Sequence, residues 1–391
     1  MSIRVRTDVP SGNAALVEVR EDGSCTEIAF TADPHGGPEA CWFCFRIELN
    51  GARPERLRLL LKHAGNLLGG GHIPHIRPVV RADDAGSGDE GGWRRLEPGA
   101  PILAPDGQAH AAWELPAPAR TLDVAVCYPY GPQEVAQLVA DCGGYWRADN
   151  FGVSQNGRAL VRLSNDYGSA DPQAARKPGA YLLARQHSGE TSAGWVLDGV
   201  MRRLADLRAD DVTVWCVPLT NIDGVVQGDY GKDNFPYDLN RAWGRPPMRH
   251  ETLALQRDFG RWRGRCVPRL GGDFHAPGLS EHTGIYTFAV KPENLNDVRL
   301  RDQTHWLGAF RGALGEYAAP DFLRVARYTS RWETPTATGF FNTFEDMYGV
   351  TFEVSYVGYA GGEVFTRARY RDAGRRIADA MLGELRNPAK K

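Results

Sequence analysis

Arg185-Gln186-His187-Ser188-Gly189-Glu190-Thr191 is the stretch on which the reading of this chain turns. An apolar run, residues 180–185, leads into it. Residues 191–207 follow, with Val196, Leu197, Val200, Met201, Leu204 and Leu207 on one stripe at helical period. A strand therefore delivers His187 and Glu190 to the turn where an amphipathic helix begins. Two such ligands three residues apart can point at one ion, and imidazole nitrogen with carboxylate oxygen suits zinc. The same residues also suit a plain helix amino terminus, with Glu190 well placed on the dipole.

Residues further along favour the metal reading. The chain continues with an apolar strand (residues 212–218), a long loop, a helix near 252–262 and a strand running into Phe274. A strand at 350–357 and a terminal helix over 365–385 close it, and Pro132–Asp141 reads as a helix before the first strand. Strands alternating with helices predict an α/β layer architecture. In open sheets of this kind, ligands bind beyond the carboxyl ends of the strands. Gly272-Asp273-Phe274-His275 supplies a third ligand, His275, at such an end. Two His and one Glu leave a fourth zinc position open, as a catalytic site requires. Asp238 offers a carboxylate to the spare N–H of a liganding His. Asn240 with Arg241 would make a fork for a carboxylate. Glu353, inside the β-rich run Thr351-Phe352-Glu353-Val354, is costly there unless paired or functional, and would serve as general base. Read singly, His275 is also compatible with a satisfied core histidine, and Arg241 with a surface ion pair.

The first third has a different texture. Short alternating segments at 15–20, 43–49, 102–104 and 122–127, separated by turn clusters at 33–37 and 50–54, predict an antiparallel β-sandwich. Residues 81–92, rich in Asp and Gly, read as a loop. The length of 391 residues suggests two or three domains. Hydrophobic residues at 42% and charged residues at 24% fit a globular chain. Lys plus Arg is 46 against 48 for Asp plus Glu, a net charge of −2, which points to no nucleic-acid or membrane partner. The Arg-rich residues 257–269 read as a solvated helix face leading into a strand. The amino terminus has no long apolar run, and the seven cysteines are odd in number and scattered, so a reducing, cytoplasmic location is expected.

The motifs His187-Ser-Gly-Glu190, Thr220-Asn221-Ile222-Asp223-Gly224, Asp238-Leu-Asn240-Arg241, Gly272-Asp273-Phe274-His275 and Thr351-Phe352-Glu353 occur in this order. Together they resemble the zinc carboxypeptidases of the funnelin type, and within them the cytosolic carboxypeptidases, which include tubulin deglutamylases. Cys41-Trp-Phe-Cys-Phe-Arg-Ile47 is similar to part of the sandwich domain of those enzymes, and Cys127-Tyr-Pro-Tyr130 to the segment joining it to the catalytic domain. The resemblance spans nearly the whole chain. It implies an α/β fold in which residues 1–128 form an antiparallel β-sandwich domain and 129–391 a zinc-carboxypeptidase-like α/β/α domain with a mixed sheet. It also implies one zinc per chain held by His187, Glu190 and His275, with Asp238 supporting a ligand. Asn240 and Arg241 would grip the carboxyl terminus of a peptide or protein substrate, and Glu353 would act as base and acid.

Three departures qualify the likeness. Gly231 stands where the family has the arginine that stabilises the oxyanion, and Lys232 is the nearest substitute, a point charge without the planar fork. Residues 332–353 contain no Lys or Arg, so a preference for glutamate is not expected; Thr336, Thr338, Phe340 and Phe341 would suit a neutral side chain unless Arg331 turns inward. Tyr328 and Tyr348 are the candidates for a substrate-capping tyrosine. His72 and His75 read as exposed loop histidines. The alternative is a zinc amidase or deacylase acting on a small N-acyl amino acid, which the missing arginine keeps open. Oligomeric state is not legible.

Overall fold

The computed structural model describes residues 2–22, 24–35, 37–51, 53–83, 91–105, 107–116, 118–326 and 334–387. Leu57, Leu59 and Leu61 alternate along one face of a strand, and with Ile28 and Phe30 on its neighbour they are buried. That face meets a second sheet, where Phe43, Phe45 and Ile47 point back. Phe30 joins the two, its ring 5.2 Å from Phe43 and 4.7 Å from Phe45, edge to face.

The first of these sheets is in strand order Ala15–Asp22, Cys25–Thr31, Arg56–Leu61, Ala109–Pro116 and Ala100–Leu103. The other is Ser2–Arg6, Cys44–Asn50, Thr121–Ala125, Val79–Ala82 and Trp93–Arg95, antiparallel throughout. Strict antiparallel pairing fails at one place: Cys25–Thr31 and Arg56–Leu61 run parallel. The strand between them in sequence, Cys44–Asn50, belongs to the opposite sheet, so the chain crosses over and returns in the same direction.

A mixed sheet of eight strands follows. Its order is Arg147–Val153, Ala159–Ser164, Thr213–Val217, Pro178–Ala184, Val267–His275, Tyr348–Val354, Ile285–Phe288 and Ala318–Arg324. The four central strands are parallel and almost wholly buried, so their carboxyl ends open on the same edge. Alternation splits their side chains between two cores. Ala180, Leu182 and Ala184 pack towards Val196, Leu197 and Val200 of the helix Thr191–Asp206. Tyr181 and Leu183 pack towards Phe259 and Trp262 of the helix His250–Arg263.

Several elements escape the sequence pattern, among them two helices and a hairpin. The helix Asp297–Leu314 buries only Gln303, Trp306, Leu307, Phe310 and Leu314, a sparse stripe. Arg147–Val153 pairs with Ala159–Ser164 around a bulge at Asn150 to Gly152, which blurs the alternation. The loop expected after Val217 contains a short helix, Ile222–Gln227, capped by Asn221, whose side chain accepts the Gly224 N–H. Residues 84–90 of the expected loop at 81–92 lie outside the described residues.

Among the described residues no helix is long and apolar enough to cross a membrane. All seven cysteines are free, and Cys127 and Cys216 are buried as expected.

The helices Thr191–Asp206 and Arg367–Arg386 meet at paired glycines. A Cβ on Gly374 would lie 2.0 Å from the Val196 carbonyl oxygen and 2.9 Å from the Gly199 Cα. Backbone is in contact with backbone there, and no side chain can give way. Gly374→Ala should therefore destabilise the chain by about 1–3 kcal/mol despite its better helix propensity. Denaturant unfolding checks this; a midpoint at or above that of the wild type would contradict it.

Candidate active site

At the carboxyl edge of the central strands, Pro178–Ala184 ends and the chain turns sharply. Arg185 has a φ of 61°, in the left-handed region. Its buried guanidinium donates to the carbonyl oxygens of Ser188 and Tyr130, tying the turn to the segment that joins the sandwich to the eight-stranded sheet. The next residues are jammed against the sandwich: a Cβ on Gly189 would lie 2.8 Å from the Tyr230 ring and 2.9 Å from the Trp42 Cβ. Only glycine fits between them, so the turn is held from both sides.

This turn brings His187 and Glu190 to His275 at the end of the neighbouring strand. His187 Nδ1 is 2.9 Å from Glu190 Oε1, and His275 Nδ1 is 2.8 Å from Glu190 Oε2. All three are buried, and one ligand atom from each lies within 4.8 Å of the others. The far nitrogens are held as well. His187 Nε2 is 3.2 Å from Asp238 Oδ1, and His275 Nε2 is 2.9 Å from Asp273 Oδ2. Each imidazole thus lies between two carboxylates. Burial works against its charge, but Glu190 and Asp238 outweigh that and push His187 up to about 9. Burial opposes the charge on His275 too, and Asp273 with Glu190 raises it further. A buried group with this surplus of carboxylates calls for a cation. The donor set of two Nδ1 atoms and a carboxylate, each imidazole backed by an aspartate, fits zinc.

Asp238 also accepts the Asn240 N–H at 2.8 Å and the Asp233 N–H at 3.1 Å, so one carboxylate fixes both a histidine and the loop carrying Arg241. Asn240, expected beside Arg241 on a substrate carboxylate, lines the same cavity; its Nδ2 lies 3.0 Å from His275 Nε2, and its Oδ1 accepts from Gln186 Nε2 and the Ala337 N–H. Arg241 lines the cavity and, among the described residues, forms no ion pair; one of its N–H groups donates to the Asn240 carbonyl at 3.0 Å.

Glu353 comes from the next strand over. In the parallel register His275 faces Glu353, and on the other side Glu353 faces Tyr286. Burial raises the Glu353 carboxyl, Glu190 adds to this, and His275, Lys232 and His187 oppose it, leaving it at about 7. Lys232 lines the same cavity. Burial disfavours its charge, yet Glu190, Glu39, Glu353 and Asp238 more than compensate, so it is an ammonium. Gly231 explains why no arginine precedes it: φ is 83°, and a Cβ would lie 2.3 Å from Ser188 Oγ.

The cavity around these groups measures about 980 Å³. Thr336, Thr338, Gly339, Asn342 and Thr351 form one wall. Phe340 and Phe341, expected there, instead turn behind the sheet into the core with Phe259 and Trp243. Helical geometry separates them from Thr338 and Gly339 on the opposite face. Tyr348 lines the cavity but is buried, its hydroxyl 3.5 Å from Gln303 Oε1. Tyr286 is a tyrosine the sequence reading missed. Tyr328 and Arg331 lie outside the described residues. Also missed were Gln186, which bonds Asp273, Asn240 and Trp243, and Asp273 itself. Asp273 and His275 are two apart on one strand and share a face, which was a readable signal.

Known proteins share this fold. The chain has the fold of the metallo-carboxypeptidases: one from Burkholderia cenocepacia superposes with a TM-score of 0.77 at 20% identity, covering 99% of this chain and 100% of that one. A second, from Pseudomonas aeruginosa in complex with (2-guanidinoethylmercapto)succinic acid, gives 0.73 at 18% identity over 98% and 99%. In sequence the chain is related to the cytosolic carboxypeptidases. It is 28% identical to cytosolic carboxypeptidase 1 of Mus musculus over 124 residues, 29% of this chain and 10% of that protein. With cytosolic carboxypeptidase 4 of Mus musculus it shares 33% over 127 residues, 29% of this chain and 11% of the relative. The chain thus matches about a tenth of the length of these relatives. An uncharacterised protein of Zymomonas mobilis is 23% identical over 342 residues, 84% of this chain and 80% of its own. No protein-family model matches.

The position and protonation of Glu353 yield a kinetic expectation. A base works only when deprotonated, so activity falls as pH drops through its pKa. Glu353 stands at about 7, so the acid limb of kcat/KM belongs near that pH. Glu353→Gln should lower kcat by about a hundredfold or more while KM and metal content hold. A limb centred above pH 8, or near-normal turnover in the variant, would move the base elsewhere.

Proposed function

We propose that the chain is a zinc metallocarboxypeptidase, a hydrolase of the cytoplasm that removes the last residue from a peptide or protein and does not favour glutamate. The observation that carries this is the single cavity shared by the His187–Glu190–His275 group, Glu353 and the ion-pair-free Arg241. The names and folds of the relatives support the carboxypeptidase class and a metal requirement, and the word cytosolic in two of those names supports the location. Nothing in them favours the amidase alternative. Residues 129–391 would be the catalytic domain and 1–128 the sandwich domain.

In this reading His187, Glu190 and His275 hold one zinc, which when bound supplies a Lewis acid for the scissile carbonyl. Asp238 and Asp273 fix the two imidazoles. Asn240 and Arg241 grip the terminal carboxylate, Arg241 with its planar fork, and so set which bond is presented. Glu353 takes a proton from the attacking water and passes it to the departing amine. Lys232 offers its ammonium to the negative charge that develops on the carbonyl oxygen. The wall of Thr336, Thr338, Asn342 and Thr351 accepts a neutral side chain; among the described residues it holds no cation for an acidic one.

Two measurements test this. Amidating the carboxyl end of a peptide should remove most activity, since Arg241 loses a charge-assisted pair of about 1.5–3 kcal/mol. Equal rates on free and amidated ends would overturn the exopeptidase assignment. In competition between peptides ending in Glu, Leu, Ala and Lys, glutamate should not lead; a clear glutamate preference would contradict the neutral wall.

A further inference from the structure

Part of the cavity wall comes from the sandwich. Glu39 and Gly69 line the cavity there, and Gly69 packs against Ser280, where a Cβ would lie 2.6 Å from the Ser280 N. Glu39 Oε2 is shut off from solvent and accepts no hydrogen bond. The nearest cation is Lys232, its Nζ 3.9 Å away, at the limit of an ion pair. Lys232 also feels Glu190, Glu353 and Asp238, so one ammonium stands among four carboxylates. Glu281, another acid on this side, already takes a 2.9 Å bond from Arg324. Glu39 is therefore the weakly compensated charge of this wall.

The direction of a bound chain gives that charge a role. Asn240 accepts the Ala337 N–H, so the Arg241 end of the cavity adjoins the Thr336–Thr338 wall. A terminal carboxylate at Arg241 places the last side chain against that wall and the scissile bond beside Glu353. The residue upstream is left the Lys232, Glu39 and Gly69 side. When Lys232 turns to the carbonyl oxygen, Glu39 loses its partial partner.

We infer that Glu39 is a specificity-determining carboxylate, contributed by the sandwich, that selects a cationic group on the residue preceding the one removed. The cation is a lysine or arginine side chain, or the α-amino group where that residue is the first of a dipeptide. This rests on the carboxypeptidase reading and adds to it the substrate's upstream residue. It also gives the sandwich a direct part in recognition, through a residue that precedes the Cys41-Trp42 motif.

The test keeps the departing residue constant. N-acetylated Lys-Leu, Ala-Leu and Glu-Leu, together with unblocked Ala-Leu, are compared by kcat/KM in the zinc-loaded full chain. Wild type should prefer acetyl-Lys-Leu to acetyl-Glu-Leu by about tenfold or more. Unblocked Ala-Leu above its acetylated form would assign the α-amine; no difference between these two would leave the side chain as the cation selected. In Glu39→Gln the Lys-to-Glu ratio should fall to within about threefold of unity, and Glu39→Lys should invert it. Because each ratio is taken within one enzyme, partial misfolding cancels. If Glu39→Gln slows all peptides equally and keeps the ratio, Glu39 only positions Lys232 and the inference is overturned. If wild type cleaves none of the peptides, the carboxypeptidase reading itself fails, a result distinct from an unchanged ratio.

Discussion

One buried carboxylate constrains this structure more than any other group. Glu190 reaches two imidazoles at once, His187 with one oxygen and His275 with the other, and its Oε2 also accepts the Ala276 N–H at 3.0 Å. Neither histidine can shift without losing an aspartate on its far side. For Glu190 to stand there, the strand Pro178–Ala184 must end level with Val267–His275, and the parallel register between them secures this, with Ala184 opposite Phe274. The same register continued one strand further brings Glu353 beside His275. Removing either partner from such a group would leave a buried charge uncompensated, a cost of about 3–5 kcal/mol for buried pairs in general.

The sandwich takes part in holding the turn on which Glu190 depends. Trp42 closes over Gly189, and its indole donates to the Ser11 carbonyl at 2.8 Å. Asn13 donates to the Gly228 carbonyl and Ser11 to that of Val225, so the sandwich also grips the loop that leads to Lys232. From the other side Tyr356 donates to the Gly189 carbonyl at 3.3 Å. The two halves of the chain thus share one buried junction at the turn that carries His187 and Glu190, with Trp42, Tyr230 and Tyr356 in a continuous core. A change in the Cys41-Trp42 segment would reach the site through packing alone.

Much of this was legible. The amphipathic stripe over 191–207 and the turn before it foretold the helix Thr191–Asp206 and the placing of His187 and Glu190, because burial on one face leaves a strong periodic mark. The helix Pro132–Asp141 has the expected ends. The strands at the sheet's far edge, Ile285–Phe288 and Ala318–Arg324, were not legible, since four to seven residues at an edge carry too little apolar contrast. The contact of Asn240 with His275 was not legible, because it depends on tertiary placement. The aromatic pair Phe340 and Phe341 misled for a related reason: a five-residue helix turns its small residues to the cavity and its large ones to the core. Glu39 left no trace, because nothing local distinguishes it from a surface acid until the sandwich is docked.

The central claim is that Glu190 and its two histidines form one metal centre. Titration of the metal-stripped chain with zinc, for wild type and Glu190→Gln, tests it most directly, with circular dichroism to confirm that both are folded. Tight binding of one zinc per chain in wild type, weakened by orders of magnitude in the variant, is the predicted result. Zinc bound by Glu190→Gln with the stoichiometry and affinity of wild type would contradict it.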